Sequence, residues 1–261
     1  MCGLAGILLE DSEWKEKKQI DYYLDKMSDE LSNRGPDDKL NFVSEKDNLG
    51  FTFRRLSILD LSKQASQPMK SKCGDWIILF NGEIYNHIEL KKSFSRPKDF
   101  WQTTSDTEVI LEYISFYGFR EAIPKFTGMF AIVAYCFSTK TLWMARDRFG
   151  EKPLYYSVKK NQGFFFSSEI KSFITLKMFF DKSLNKKSIT NYLRYGYVPD
   201  PLCILNDTFK LTPGTILKYQ KEFKIKTFSY WDSFKEFIKV KDTFKLSSYD
   251  EAKEAVKDEL G

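Results

Sequence analysis

The sequence predicts an α+β fold in which antiparallel or mixed sheets stack on one another with helices outside. Three observations point there. Segments of strand character come in groups, with helical segments between some of them but no regular strand–helix alternation. No Gly-x-Gly-x-x-Gly fingerprint and no P-loop marks a doubly wound nucleotide-binding sheet. Of the 261 residues 42% are hydrophobic and 16% aromatic, 24 of them Phe, which is enough to fill a sizeable core.

In chain order, Gly3 to Leu9 is a short apolar run fit for a buried strand. Ile20, Tyr23, Leu24, Met27 and Leu31 recur at the three- and four-residue spacing of an amphipathic helix, which Asn33-Arg34-Gly35-Pro36 stops. Leu49 to Phe53 and Trp76 to Phe80 read as strands. The second runs into Asn81-Gly82, a pair suited to a two-residue hairpin turn. Ser105 followed by Glu108 is a capping box for a helix with Val109, Ile110, Tyr113, Ile114 and Tyr117 on one side. Met129 to Phe137 and Leu142 to Ala145 pair about a Ser-Thr-Lys turn, and Tyr155 to Val158 and Phe164 to Ser167 add strands. Beyond Pro213 the character changes, with Lys and Phe alternating through Lys218 to Lys245. Ser248-x-x-Glu251 then caps a last helix, whose stripe of Ala252, Ala255, Val256 and Leu260 needs something to pack on.

Composition removes several function classes. Lys and Arg total 41 against 36 Asp and Glu, a net charge of +5, and the basic residues are interspersed with acidic ones. That is a solvated surface rather than a nucleic-acid footprint. Cys2, Cys73, Cys136 and Cys203 lie far apart with no Cys-x-x-Cys pair, which argues against a disulfide framework and a cysteine zinc site. A reducing, cytoplasmic setting is expected. No apolar run reaches the ~18 residues of a membrane helix, and no basic segment precedes the first apolar run as in a signal peptide. The single histidine, His87, excludes a two-His metal site within the chain and reads as part of a structural hydrogen-bond network.

Cys2 has chemistry that needs no histidine. With Met1 removed it carries both a thiol and an α-amine, and an α-amine titrating near pH ~7.7–8.0 accepts a proton at neutral pH. Besides a turn, Asn81 and Gly82 can form an oxyanion hole from a side-chain amide and a backbone N–H. Asp106, inside a helix cap, either complements the helix dipole or faces a ligand cation. Arg55, just beyond a strand, is either a surface arginine or a fork for a carboxylate.

The strings around these residues carry more than the residues alone. In order they are Cys2-Gly3-Leu4-Ala5-Gly6, Asn33-Arg34-Gly35-Pro36-Asp37, Arg55-Leu56-Ser57-Ile58-Leu59-Asp60, Gln67-Pro68-Met69, Asn81-Gly82-Glu83-Ile84-Tyr85-Asn86 and Ser105-Asp106-Thr107-Glu108. Gly128-Met129-Phe130-Ala131, the run from Arg146 to Tyr156, Ser168-Glu169-Ile170-Lys171, Gly196-Tyr197-Val198-Pro199, Lys210-Leu211-Thr212-Pro213-Gly214 and Tyr230-Trp231-Asp232 follow. Together they resemble the class II glutamine amidotransferase domain of glutamine-hydrolysing asparagine synthetase, from Cys2 to about Asp232.

The resemblance implies a four-layer αββα N-terminal-nucleophile (Ntn) hydrolase sandwich, two sheets between helical layers. It implies that Cys2 attacks the carboxamide of L-glutamine, that Asn81 and Gly82 stabilise the oxyanion, and that a thioester is hydrolysed to glutamate. Arg55 matches the residue holding the glutamine α-carboxylate. Glu83 and Asp106 match those fixing its α-ammonium, with backbone groups near Ile58 and Leu59 assisting. Asn33 stands where the family more often has His. The glutaminase domain is expected over 2–214, with a linker and the first helix of a truncated synthetase domain over 215–261. No Ser-Gly-Gly-x-Asp-Ser loop is present, so ATP and Mg are expected only for that missing domain, and no cofactor or metal for this chain. A separate synthetase chain or a homodimer is a possible partner, through the stripe on the last helix and the Arg146–Tyr156 loop; nucleic acid and membrane are not expected partners. Two other readings stay open: the glutaminase half of another class II amidotransferase, and a non-catalytic domain that binds glutamine or a partner.

Overall fold

In a computed structural model of the chain, the described residues are 2–10, 17–56, 66–94, 96–221, 224–241 and 248–260. Twelve strands among them make two sheets. They are β1 (Gly3–Leu9), β2 (Asp38–Ser44), β3 (Leu49–Arg55), β4 (Met69–Lys70), β5 (Trp76–Ile84), β6 (Gly128–Cys136), β7 (Thr141–Arg146), β8 (Tyr155–Lys159), β9 (Gly163–Ser167), β10 (Thr208–Lys210), β11 (Thr215–Gln220) and β12 (Lys224–Ser229). The first sheet runs β10-β8-β9-β1-β3-β2 and the second β12-β11-β7-β6-β5-β4. Neighbouring strands are antiparallel throughout.

Period-two alternation divides the apolar residues among three cores. Leu4 and Leu8 of β1 meet Ile77 and Leu79 of β5 and Val133 and Tyr135 of β6 between the sheets. Ala5, Ile7 and Leu9 face the other way, onto α1 (Lys17–Asp29), where Ile20, Leu24 and Met27 repeat at helical spacing. Trp76, Ile78 and Phe80 face outward from the second sheet. They pack with Val109, Ile110 and Ile114 of α3 (Asp106–Tyr117), while α2 (His87–Ser93) and α4 (Phe119–Ala122) lie along the chain on either side of α3. Stacked antiparallel sheets with helices outside is therefore what the grouped strands predict and what the chain forms. Two further helices are α5 (Lys171–Ile174) and α6 (Lys186–Tyr195).

Three expectations need correction. Asn81 and Gly82 are not a hairpin turn: β5 runs through them to Ile84, paired along β6 to Gly128. The capping box is half formed. Ser105 Oγ accepts the Thr107 N–H at 3.1 Å, but Glu108 turns back onto the N–H groups of Gln102 and Thr103 instead of Ser105. The segment after 214 is not all linker, because β11 and β12 extend the second sheet. The compact unit is Met1–Tyr230, and Trp231–Gly261 forms a second one. That second unit holds α7 (Ser233–Lys241) and α8 (Tyr249–Leu260), the latter capped by Ser248 Oγ on the Glu251 N–H.

No helix among the described residues is long and apolar enough to cross a membrane, and none of their His, Cys, Asp and Glu groups is placed to hold a metal ion.

Candidate active site

Parity along two strands turns the Cys2 thiol and the Asn81 amide into one layer. Cys2 precedes β1 in the alternation of Leu4 and Leu8, so its side chain packs against the core between the sheets. Asn81 continues the alternation of Ile77 and Leu79 and points to the same layer, where β1 and β5 approach each other. The Cys2 end is tied down two residues later: Leu4 donates to Ser168 Oγ at 3.2 Å and accepts from the Ser168 N–H at 2.9 Å. Asn81 is 2% exposed, and its Nδ2 has no hydrogen-bond partner among the described residues. A buried amide nitrogen left unpaired is costly, so such a group is a place where a ligand acceptor is expected.

Gly82 is required by space and by pairing. A Cβ there would stand 2.1 Å from the Met129 oxygen. Opposite it, Phe130 spends its own N–H and C=O on Asp147, so Gly82 and Phe130 form a pair without mutual hydrogen bonds. The Gly82 N–H therefore turns to the other side of β5, where β4 has already ended. Its neighbours on that side are capped by side chains. Gln67 accepts the Phe80 N–H at 2.6 Å and donates to its carbonyl at 3.1 Å, and Asp106 Oδ2 accepts the Ile84 N–H at 2.9 Å. The Gly82 N–H faces the gap between those caps.

Around the Cys2 thiol, the Leu56 N–H points at Sγ from 3.4 Å. Burial pushes the thiol pKa up, while the Leu56 N–H and the charges of the N-terminus, Arg55 and Lys152 pull it back. Arg55 ends β3, and its charge acts on the Cys2 thiol. Its Nη1 lies 3.5 Å from Ser66 Oγ, which in turn reaches Asp38 Oδ2 at 3.4 Å. Asp106 is 6% exposed, and its pKa is pushed up by burial and by the Glu83 carboxylate, against the pull of the Ile84 N–H and His87. The charges of Glu83 and Asp106 thus act on each other. Ile58 and Leu59 lie outside the described residues.

Sequence reasoning missed four contributors to this site. Leu56 acts through its backbone, which no side-chain pattern reveals. Gln67 and Lys152 sit in strings already singled out for resemblance, without an assigned task. Ser168 holds the strand that carries Cys2. The Arg146–Tyr156 loop is not the open contact surface expected of it at its start: Arg146 and Asp147 are 8% and 1% exposed, bound to the surrounding backbone. Phe149 projects, at 71%, and Glu151 is exposed two residues on. His87 does join a hydrogen-bond network, through Ile84.

Comparison with known proteins places this geometry in context. A family model described as a glutamine amidotransferase domain matches residues 1–231. The putative glutamine-hydrolysing asparagine synthetase 2 of Methanocaldococcus jannaschii is 34% identical over 250 residues, 89% of this chain and 47% of that protein. The glutamine-hydrolysing asparagine synthetase 1 of Bacillus subtilis is 35% identical over 215 residues, 82% of this chain and 33% of that protein. The chain thus spans less than half the length of either. Among solved structures, glutamine phosphoribosylpyrophosphate amidotransferase from B. subtilis superposes with a TM-score of 0.60 at 18% identity, over 88% of this chain and 49% of that one. At that identity the likeness speaks for the fold alone.

Proposed function

Because this chain belongs to the glutamine amidotransferase domain family, in its class II form related to glutamine-hydrolysing asparagine synthetases, we propose that it hydrolyses L-glutamine to glutamate and ammonia with Cys2 as nucleophile. The observation that carries the reading is the buried Asn81 Nδ2, unpartnered among the described residues, on the same layer as the Cys2 thiol. Removal of Met1 gives Cys2 a free α-amine. That amine takes the thiol proton as Sγ attacks the carboxamide carbon, and Asn81 Nδ2 and the Gly82 N–H donate to the oxyanion that forms. Collapse breaks the C–N bond, the amine passes its proton to the leaving ammonia, and a thioester remains. Water then attacks the thioester, releasing glutamate and restoring the thiol.

Recognition of a free amino acid needs charges of both signs. Arg55 takes the α-carboxylate, and Glu83 with Asp106 takes the α-ammonium. The names of the relatives favour ATP-dependent amidation of aspartate as the use of the ammonia, performed by a domain outside residues 1–261, on the same or another polypeptide.

The test is glutamate release from glutamine by the purified chain, its N-terminus checked by intact mass, beside Cys2→Ala. Release that vanishes in Cys2→Ala is the expected result. Release that survives the substitution overturns the role of Cys2. No release and no glutamine binding, with Met1 absent, overturns the reading of the site.

A further inference from the structure

His87 is the one histidine of the chain, and the hydrolysis above makes no use of it. It opens α2 three residues beyond Ile84, half-buried, with Nδ1 at 2.8 Å from the Ile84 carbonyl oxygen. A carbonyl can only accept, so Nδ1 carries a proton and donates it to Ile84. On its other side the same residue donates its N–H to Asp106 Oδ2 at 2.9 Å. Ile84 has the parity of Gly82, so both of its backbone groups turn away from β6. It is fully buried, and an unmet carbonyl there carries the cost of any desolvated polar group. Two side chains, one from α2 and one from α3, thus clamp the end of β5.

What the clamp positions is a pair of like charges. Glu83 is the residue before Ile84; burial first and then the Glu83 charge push the Asp106 pKa up, against the pull of the Ile84 N–H and of His87. Carboxylates set side by side repel each other until a cation arrives between them. Glu83 is carried by β5 and Asp106 by α3; Asp106 is tied to this strand end through the Ile84 N–H, and His87 holds the same residue from α2.

We propose that His87 is the positioning residue of the α-ammonium subsite: by holding Ile84 it sets where Glu83 and Asp106 stand. This rests on the glutamine reading of the site. His87 touches no reacting atom and takes no part in the bond changes at Cys2.

The experiment is calorimetric binding to the full chain carrying Cys2→Ala, which stops turnover. Two ligands are compared, L-glutamine and 4-carbamoylbutanoate, which is glutamine without its α-amino group. Adding His87→Ala is expected to weaken glutamine roughly tenfold, the scale of one buried hydrogen bond, and to leave 4-carbamoylbutanoate within about twofold. His87→Asn, whose side-chain amide can donate to the same carbonyl, is expected to recover most of the loss. In the Cys2 chain, KM for glutamine rises in His87→Ala while kcat changes little. Equal weakening of both ligands in His87→Ala overturns the proposal in favour of a merely structural residue. Unchanged glutamine binding overturns it outright, and so does a loss that His87→Asn leaves unrepaired. Failure of the His87-containing parent to bind glutamine sinks the reading of the site instead, and the inference with it.

Discussion

Asp106 is a single residue answering two demands that pull its chemistry in opposite directions. As the proposed ligand of an ammonium it must be charged, yet it sits 6% exposed at the start of a helix, under the influence of the Glu83 charge. Burial and Glu83 raise its pKa above the usual aspartate value, and the Ile84 N–H and His87 recover part of that. The sign of the consequence follows. A raised pKa means that on acidification Asp106 takes up its proton earlier than an exposed aspartate does, and a protonated carboxyl no longer attracts the α-ammonium. KM for glutamine is therefore expected to climb as pH falls towards the carboxylate range, with the climb starting above pH ~4, the ordinary aspartate value. Asp106→Asn should bind glutamine weakly at every pH and lose most of that dependence. A KM profile of the native chain that stays flat down to pH ~4 would remove Asp106 from the subsite.

At the scale of elements, the turn after β7 replaces backbone pairing with two buried side chains. The Asp147 carboxylate accepts N–H groups from Phe130, Phe149, Glu151 and Lys152 at 2.9 to 3.2 Å. The Arg146 guanidinium donates to the carbonyls of Gly150, Lys152 and Leu211 and pairs with Asp200 at 3.2 Å. This knot keeps Phe130 engaged and so leaves the Gly82 N–H turned to the site. Asp147→Ala strands several buried donors at once and is expected to cost ~3 kcal/mol or more in a urea titration, with glutaminase activity falling in whatever protein folds. A loss under ~1 kcal/mol would mean the turn holds its shape without the carboxylate. What could be read in the sequence follows from the same contrast. Regular alternation and helical spacing are local, so β1, α1, α3 and β6 were legible. The half-made capping box at Ser105 was not, because Glu108 prefers donors that only the folded 102–103 turn presents. Asn81-Gly82 was ambiguous for a related reason. Its choice of strand over turn is made by the partner strand, Gly128–Cys136, some fifty residues away. Cys2, Arg55 and Asp106 stand out as residues and gain roles, as Glu83 does, from the strings around them, whereas Leu56 acts through its backbone and the task of Gln67 depends on a strand end that only the fold presents.

Across the whole molecule, the question is where the folding unit of the site ends. β11 pairs with β7 over Ile216 to Tyr219, and β12 pairs with β11 over its full length. Leu217 and Tyr219 fill the core between the sheets, so a chain cut at 214 loses part of the layer in which Cys2 and Asn81 stand. Tyr230 belongs to the same unit. Its hydroxyl donates to the Arg146 carbonyl at 2.8 Å and its N–H to Gly214 at 2.8 Å, closing the turn that Arg146 organises. From Trp231 the contacts fall into a separate unit. α7 has no buried residue, and Phe234 and Phe237 are 70% and 61% exposed. A chain ending at Tyr230 is accordingly expected to melt within ~2 °C of the full chain and to keep its kcat/KM for glutamine, whereas one ending at Gly214 should unfold at least ~5 °C lower. At ~2–4 °C per kcal/mol for a domain of this size, the two cuts are separable by thermal denaturation. If the cut after Tyr230 is as damaging as the cut after Gly214, residues 231–261 help hold the glutaminase fold together, and the boundary drawn here is wrong.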